Sequence, residues 1–248
     1  MKFWTFLLLI FFYSSAIFAG DITPNFAKEK RWSVAIEDSL MDGEVVWLKA
    51  RKHSFLSILT ASEKPSRKAV IIMHGIGVHP NMQQIIQPLR IELTKYGYHT
   101  LSMQMPVLAN GIEAPEYLKL LTLADKRIKA AIDYLQQQKL EVDFVVAHSM
   151  GTVMASHFMA NNPHPFKYFV GIGMPNFTVK YLSKIKIPTL DLYGTDDIKP
   201  VLDSVKKRQQ AAKNNPKYQQ IVVKTDHFFN DKNELLVKTV QQWMDNKK

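Results

Sequence analysis

The chain has 248 residues, 46% hydrophobic and 22% charged, with 10 glycines, 12 prolines and a formal charge of +10. That is ordinary usage for one globular domain with a large core, and it excludes disordered, low-complexity and repeat architectures. The absence of cysteine excludes a disulfide framework and a lipid-bearing N-terminal cysteine, and Lys and Arg spread without a basic block exclude a nucleic-acid partner.

Lys2 precedes an apolar run, Phe3-Trp4-Thr5-Phe6-Leu7-Leu8-Leu9-Ile10-Phe11-Phe12-Tyr13, which gives way to Ser14-Ser15-Ala16-Ile17-Phe18-Ala19-Gly20. A charged start, an apolar centre and a small-residue exit are the three parts of a secretory signal, so residues 1–19 are expected to be cleaved near Ala19. Ser14 and Ala16 offer a second cleavage site, and a retained membrane anchor is the competing reading of the same run. Either way the domain is expected outside the cytoplasm, periplasmic or secreted, where a chain without thiols cannot be oxidised into a wrong disulfide. Its basic surface suits peripheral contact with anionic lipid head groups or cell-wall polymers.

Residues 20–43 form an N-terminal segment in which Phe26, Trp32, Ile36 and Leu40 recur near helical spacing, predicting a peripheral helix ahead of a main domain at 44–248. After Asp42-Gly43, Val45 and Trp47 and then Phe55, Ser57 and Leu59 alternate as an antiparallel strand pair joined through Lys49-Ala50-Arg51-Lys52. Ala69-Val70-Ile71-Ile72-Met73 is continuously apolar, the pattern of a strand covered on both faces. It runs into His74-Gly75-Ile76-Gly77-Val78-His79-Pro80, and Ile85, Ile86, Leu89 and Leu93 then mark a helix that stops at Tyr96-Gly97. His99-Thr100-Leu101-Ser102-Met103-Gln104-Met105 is a strand closed by Pro106, and residues 108–115 are a loop expected to wall a pocket. Leu121, Ala124, Ile128, Ala131, Ile132 and Leu135 share one helical face, and a strand starts at Asp143. Further strands are expected at Tyr168-Phe169-Val170-Gly171-Ile172-Gly173, Ile187-Pro188-Thr189-Leu190-Asp191-Leu192-Tyr193-Gly194 and Gln220-Ile221-Val222-Val223-Lys224, with a last helix carrying Leu235, Leu236, Val240 and Trp243. This alternation predicts an α/β protein with a doubly wound, mostly parallel sheet and an antiparallel N-terminal hairpin. Residues 176–186 are too few for a large lid domain.

At the centre of the chain, Val145-Val146-Ala147-His148-Ser149-Met150-Gly151-Thr152 reads as a strand, a sharp turn and the start of a helix, with a serine between small residues. It departs from the G-x-S-x-G elbow only in Ala147, which adds one methyl group where strand and helix cross. With this elbow and the glycine loop upstream of it, the chain resembles the α/β-hydrolase superfamily over about residues 45–243. The 74–80 loop, Pro88-Leu89-Arg90 and Thr100-Leu101-Ser102-Met103-Gln104-Met105-Pro106 resemble, more narrowly, an exported bacterial α/β-hydrolase-like family of unassigned function.

The resemblance implies the α/β-hydrolase fold and a serine hydrolase of a carboxylic ester or thioester, with Ser149 as nucleophile. A serine hydroxyl needs a base and an acid that orients it, and in this fold they follow in the order Ser, Asp or Glu, His. His157 and His164 come too early, leaving His227, the one histidine after the strand that ends at Gly194. Asp197, three residues beyond Gly194, is selected as the acid by spacing, with Asp196 kept open. Backbone N–H groups of Ile76 and Met150 are expected to hold the oxyanion, with His74, Gly75, Gly77 and His148 as neighbours. Arg90 is expected to be a structural ion-pair partner. The implied substrate is a small-molecule or lipid-like ester, with no cofactor; no H-E-x-x-H or clustered carboxylate and histidine spacing suggests a metal. The competing readings are an idle hydrolase-like binding protein of the cell envelope and a peptidase or amidase using the same three residues.

Overall fold

The computed structural model describes residues 23–246, so the signal expected at 1–19 lies outside the described residues. Eight strands form one sheet: β1 (Glu44–Ala50), β2 (His53–Thr60), β3 (Lys68–Met73), β4 (His99–Met103), β5 (Glu141–His148), β6 (Tyr168–Ile172), β7 (Thr189–Asp196) and β8 (Tyr218–Asp226). Their order is β1-β2-β4-β3-β5-β6-β7-β8. The β1–β2 and β2–β4 pairs are antiparallel and the remaining pairs are parallel. The mostly parallel α/β sheet with an antiparallel start is the architecture the alternation predicts.

The apolar strands are apolar because both faces are covered. In β3, Ala69, Ile71 and Met73 enter one core and Val70 and Ile72 the other, and β5 divides Val145 and Ala147 from Phe144 and Val146 in the same way. The first core is closed by α3 (Leu121–Gln137) and α4 (Met150–Asn161), the second by α2 (Ile86–Glu92) and α8 (Asn233–Asp245). Leu236, Val237, Val240, Trp243 and Met244 make the buried stripe of α8. The N-terminal α1 (Phe26–Ser39) is capped by the Asn25 side chain, which accepts from Lys28 N at 2.9 Å, and it sets Ile36 against Leu56 and Ile58 of β2.

Two elements differ from their sequence patterns for identifiable reasons. The strand expected to reach Met105 ends at Met103, because Met105 N–H donates to His74 Nε2 at 2.9 Å and leaves the ladder. The helix expected up to Tyr96 gives way at Leu93 to a 3₁₀ turn (Leu93–Tyr96), closed by Gly97 in the left-handed conformation with φ 88°. Arg90 departs from its expected role. It is fully buried but donates to neutral acceptors, Asp42 O, Thr60 Oγ1 and Asn81 Oδ1, in place of a carboxylate.

Candidate active site

The parallel strands deliver their C-terminal ends to one edge, and β5 ends there in His148. The chain then turns through Ser149 at φ 51° and ψ −123° and enters α4 at Met150. A non-glycine residue in that region costs on the order of 1–3 kcal/mol and persists where its surroundings hold it. Here Ser149 N donates to Ile172 O at 2.9 Å and Ser149 O accepts from Thr152 N at 2.9 Å. The tight crossing demands Gly151, since a Cβ there would lie 2.6 Å from His74 O and 2.8 Å from Met73 O. Ala147 is buried within the sheet between Met73 and Gly171, where its methyl group is accommodated.

Ser149, His227 and Asp197 form one hydrogen-bonded chain. His227 Nε2 lies 3.0 Å from Ser149 Oγ and Nδ1 lies 2.6 Å from Asp197 Oδ1. Asp197, on the loop after β7, also accepts from Ile198 N at 2.8 Å and Gly194 N at 3.3 Å, which fixes its orientation. With a carboxylate at Nδ1, that nitrogen carries the proton and Nε2 is free to accept one. Asp196 is exposed and accepts only from the neighbouring Thr195 hydroxyl, so the structure brings Asp197 and not Asp196 to the histidine.

Gly173, just beyond β6, makes room for this chain. Its φ is 59°, and a Cβ on it would sit 2.8 Å from His227 Cε1 and 2.9 Å from Nδ1. Sequence reasoning took Gly173 as no more than a strand end; a glycine at the carboxyl edge of a parallel strand, where sites gather, was the available signal.

The expected neighbours take different places. Gly75 packs directly against Ser149, while Gly77 faces the Lys28 side chain on α1 and not the cleft. His148 is buried beneath His227, and its Nε2 donates to His227 O at 3.1 Å while Nδ1 has no partner. His74 donates from Nδ1 to Gly75 O at 2.9 Å and accepts at Nε2 from Met105 N and from the Gln104 amide. Burial lowers both imidazoles to about 3, and so holds them neutral.

A cleft of ≈ 520 Å³ opens over Ser149, bordered by Ile76 on one side and Met150 on the other. Its walls come from the 108–115 loop (Glu113, Ala114, Pro115), which was expected to wall a pocket, and from the short connection after β6 (Pro175, Asn176, Phe177). A third wall, from Ile198 to Lys207, was not anticipated. It is built from α6 (Lys199–Leu202) and α7 (Val205–Ala211).

Two buried arginines brace the edge. Arg208 of α7 forks onto Asp191 of β7, with Nε 2.7 Å from Oδ2 and Nη2 3.2 Å from Oδ1; its Nη1 donates to Met174 O, Val201 O and Ser204 Oγ. It thereby ties the segment after the Asp197 loop to the segment beyond Gly173. On the other side, Arg127 of α3 donates to Gln104 O and pairs with Glu29 of α1 at 2.8 Å. Burial outweighs Arg127 and raises the Glu29 carboxyl above its ordinary value. Since Gln104 and Met105 bond His74, α1 is linked through this network to the loop that carries Gly75 and Ile76.

Residues 17–120 match the model of a family described as a protein of unknown function (DUF3530). No curated protein matches the chain significantly. Among solved structures the chain is similar to the dienelactone hydrolase of Anabaena variabilis, at 17% identity and a TM-score of 0.66 over 83% of this chain and 97% of that one. It is similar to Est1E from Butyrivibrio proteoclasticus, at 16% identity and a TM-score of 0.67 over 83% of this chain and 98% of that one. The Pyrococcus furiosus esterase Pf2001 matches at 16% identity and a TM-score of 0.68 over 85% of this chain and 95% of that one. The eight-stranded sheet, its antiparallel start and its flanking helices are thus those of the α/β-hydrolase fold.

Proposed function

We propose that the protein is a serine hydrolase that cleaves a carboxylic ester or thioester through an acyl-enzyme. The observation that carries this reading is the Ser149–His227–Asp197 hydrogen-bonded chain at the floor of an open cleft. Ser149 Oγ attacks the carbonyl carbon while His227 Nε2 takes its proton, and Asp197, remaining ionised, orients the ring and offsets the charge of the imidazolium. The carbonyl oxygen, now negative, is held by backbone N–H groups of Ile76 and Met150, which border Ser149 in the cleft; Met150 opens a helix whose first N–H groups lack partners within it. His227 then gives its proton to the leaving alcohol or thiol. Water, deprotonated by the same nitrogen, releases the acid and restores Ser149.

The test is to treat the folded protein with a fluorophosphonate probe and map the adduct. Labelling of Ser149, with hydrolysis of short p-nitrophenyl esters lost in Ser149→Ala, is the expected result. A folded protein that neither hydrolyses nor labels, or labels elsewhere, overturns the reading in favour of a binding protein.

We propose further that the protein is exported and cleaved near Ala19, on the strength of the Phe3 to Tyr13 apolar run and the cysteine-free composition. Intact-mass analysis of the native protein decides this, since retention of residues 1–19 would mean a membrane-anchored protein.

A further inference from the structure

Ten large hydrophobic side chains are exposed among the described residues, and five of them, Ile76, Ile112, Ile198, Leu202 and Phe228, lie on the segments that wall the Ser149 cleft or next to His227 in the chain. Ile76 and Ile198 line the cleft together with Ser149. Ile112 and Leu202 immediately precede the lining residues Glu113 and Asp203, and the Phe228 ring packs on the His227 ring with centroids 5.2 Å apart. These five residues come from four separate segments and have no common core to serve. Scattered exposed hydrophobics need no explanation, but a ring of them around a concave site marks an interaction surface.

We propose that this rim docks on an anionic phospholipid bilayer and admits an ester-bearing lipid from it to Ser149. The substrate half rests on the serine-hydrolase reading; the docking half stands without it. Charge favours this occupant. The wall formed by α6 and α7 exposes Lys199, Lys206 and Lys207 beside Ile198 and Leu202, and its one carboxylate, Asp203, is held by Lys199 at 2.6 Å. Apolar side chains interleaved with lysines are what an interfacial surface presents to acyl chains and anionic head groups at once. Glu113 on the opposite wall is the remaining carboxylate of the cleft. Position favours it too, because a protein seated on the ring would cover Ser149, whereas a bilayer that covers the opening also supplies what enters it. Cleavage there splits the ester C–O bond with water and returns a carboxylic acid and an alcohol.

The experiment compares sedimentation of the protein with phosphatidylglycerol vesicles and with phosphatidylcholine vesicles. The variants are Ser149→Ala and the double substitution Ile112→Asp with Leu202→Asp; neither Ile112 nor Leu202 lines the cleft. The wild type and Ser149→Ala should bind phosphatidylglycerol vesicles alike, and raising salt to about 0.5 M should weaken the binding. The double variant should lose about tenfold or more of that binding while short soluble esters turn over as before. Where the aspartates lower the thermal midpoint, Ile112→Ser with Leu202→Gln makes the same comparison. Absent binding by the folded wild type, or equal binding by the double variant, overturns the proposal. So does a wild-type dimer that the double variant dissolves without any vesicle binding, which makes the ring a contact between copies. Vesicle binding without probe labelling of Ser149 sinks the hydrolase reading alone, and labelling without vesicle binding sinks docking alone.

Discussion

His227 and His148 stand with ring centroids 4.7 Å apart, and both are buried, yet their bonding is opposite. His148 gives its one N–H to a backbone carbonyl and has nothing at its other nitrogen. His227 has a carboxylate at one nitrogen and a hydroxyl at the other. Burial alone disfavours a charged imidazole, so His148 is a neutral spacer that props the backbone of the residue above it. In the proposed reaction, the Asp197 carboxylate in the same dry environment offsets the charge that the His227 ring takes on with the Ser149 proton. The difference between a structural and a chemical histidine lies in the second partner.

Five substitutions probe that difference. Ser149→Ala and His227→Ala should each lower kcat by on the order of 10⁶, and the double variant by little more, because the two groups act in one proton transfer; additive losses in single-turnover measurements would separate them. Asp197→Asn removes the partner that distinguishes the two rings and should cost on the order of 10⁴ in kcat, while Asp196→Asn should change it by less than about threefold. Reversal of those two results would move the acid to Asp196. Gly173→Ala displaces the His227 ring without altering its partners and should lower kcat by roughly 10- to 100-fold at nearly constant KM. An unchanged kcat would show that the ring has room to move.

A smaller loss, about tenfold in kcat, is expected from His148→Leu, which leaves His227 O without its donor at a stability cost of roughly 1–3 kcal/mol. It also tests the sign of the pH dependence. His148 and His74 have folded values near 3, below the unfolded value of about 6.5, so the unfolded chain binds protons that the folded one refuses. Stability is therefore fully present above about pH 6.5 and falls on acidification, by about 1.4 kcal/mol per pH unit for each histidine. Thermal unfolding between about pH 6.5 and 5 should show a shallower slope in His148→Leu, with the remainder set by His74 and by His79 and His164, which burial also lowers. A slope unchanged by the substitution would mean that other groups set it.

Much of the fold is readable from the pattern of apolar runs, because a parallel strand covered on both faces has no other way to look. Ser149 could be chosen by its elbow, His227 by chain order and Asp197 by its spacing from Gly194 with Asp196 left open, and Ser149, Asp197 and His227 are the residues that the hydrogen bonds join. The braces were harder to see. Arg90 falls between Leu89 and Leu93 and Arg127 between Ala124 and Ile128, each on the buried stripe of its helix, whereas Arg208 is the one buried residue of α7. A charge on an apolar stripe was the available signal for Arg90 and Arg127. Part of their bonding was not legible, since Asp42 O, Gln104 O and Met174 O are backbone acceptors that carry no side-chain signature. The Ile198 to Lys207 wall was missed because α6 and α7 are too short to show a helical period.

The Glu29–Arg127 pair spans 98 positions of sequence, and this sets a clock on synthesis. As the chain emerges from its N-terminus, α1 is the first of the described elements to appear and must wait until β1 to β4 and the first part of α3 have followed before its buried carboxylate finds a counter-ion. Until then, docking α1 would strand an uncompensated charge, which is strongly unfavourable. The first helix of the described residues is therefore expected among the later pieces to settle, with the Gly75–Ile76 loop, connected to it through His74 and Gln104, expected to take its final shape late as well.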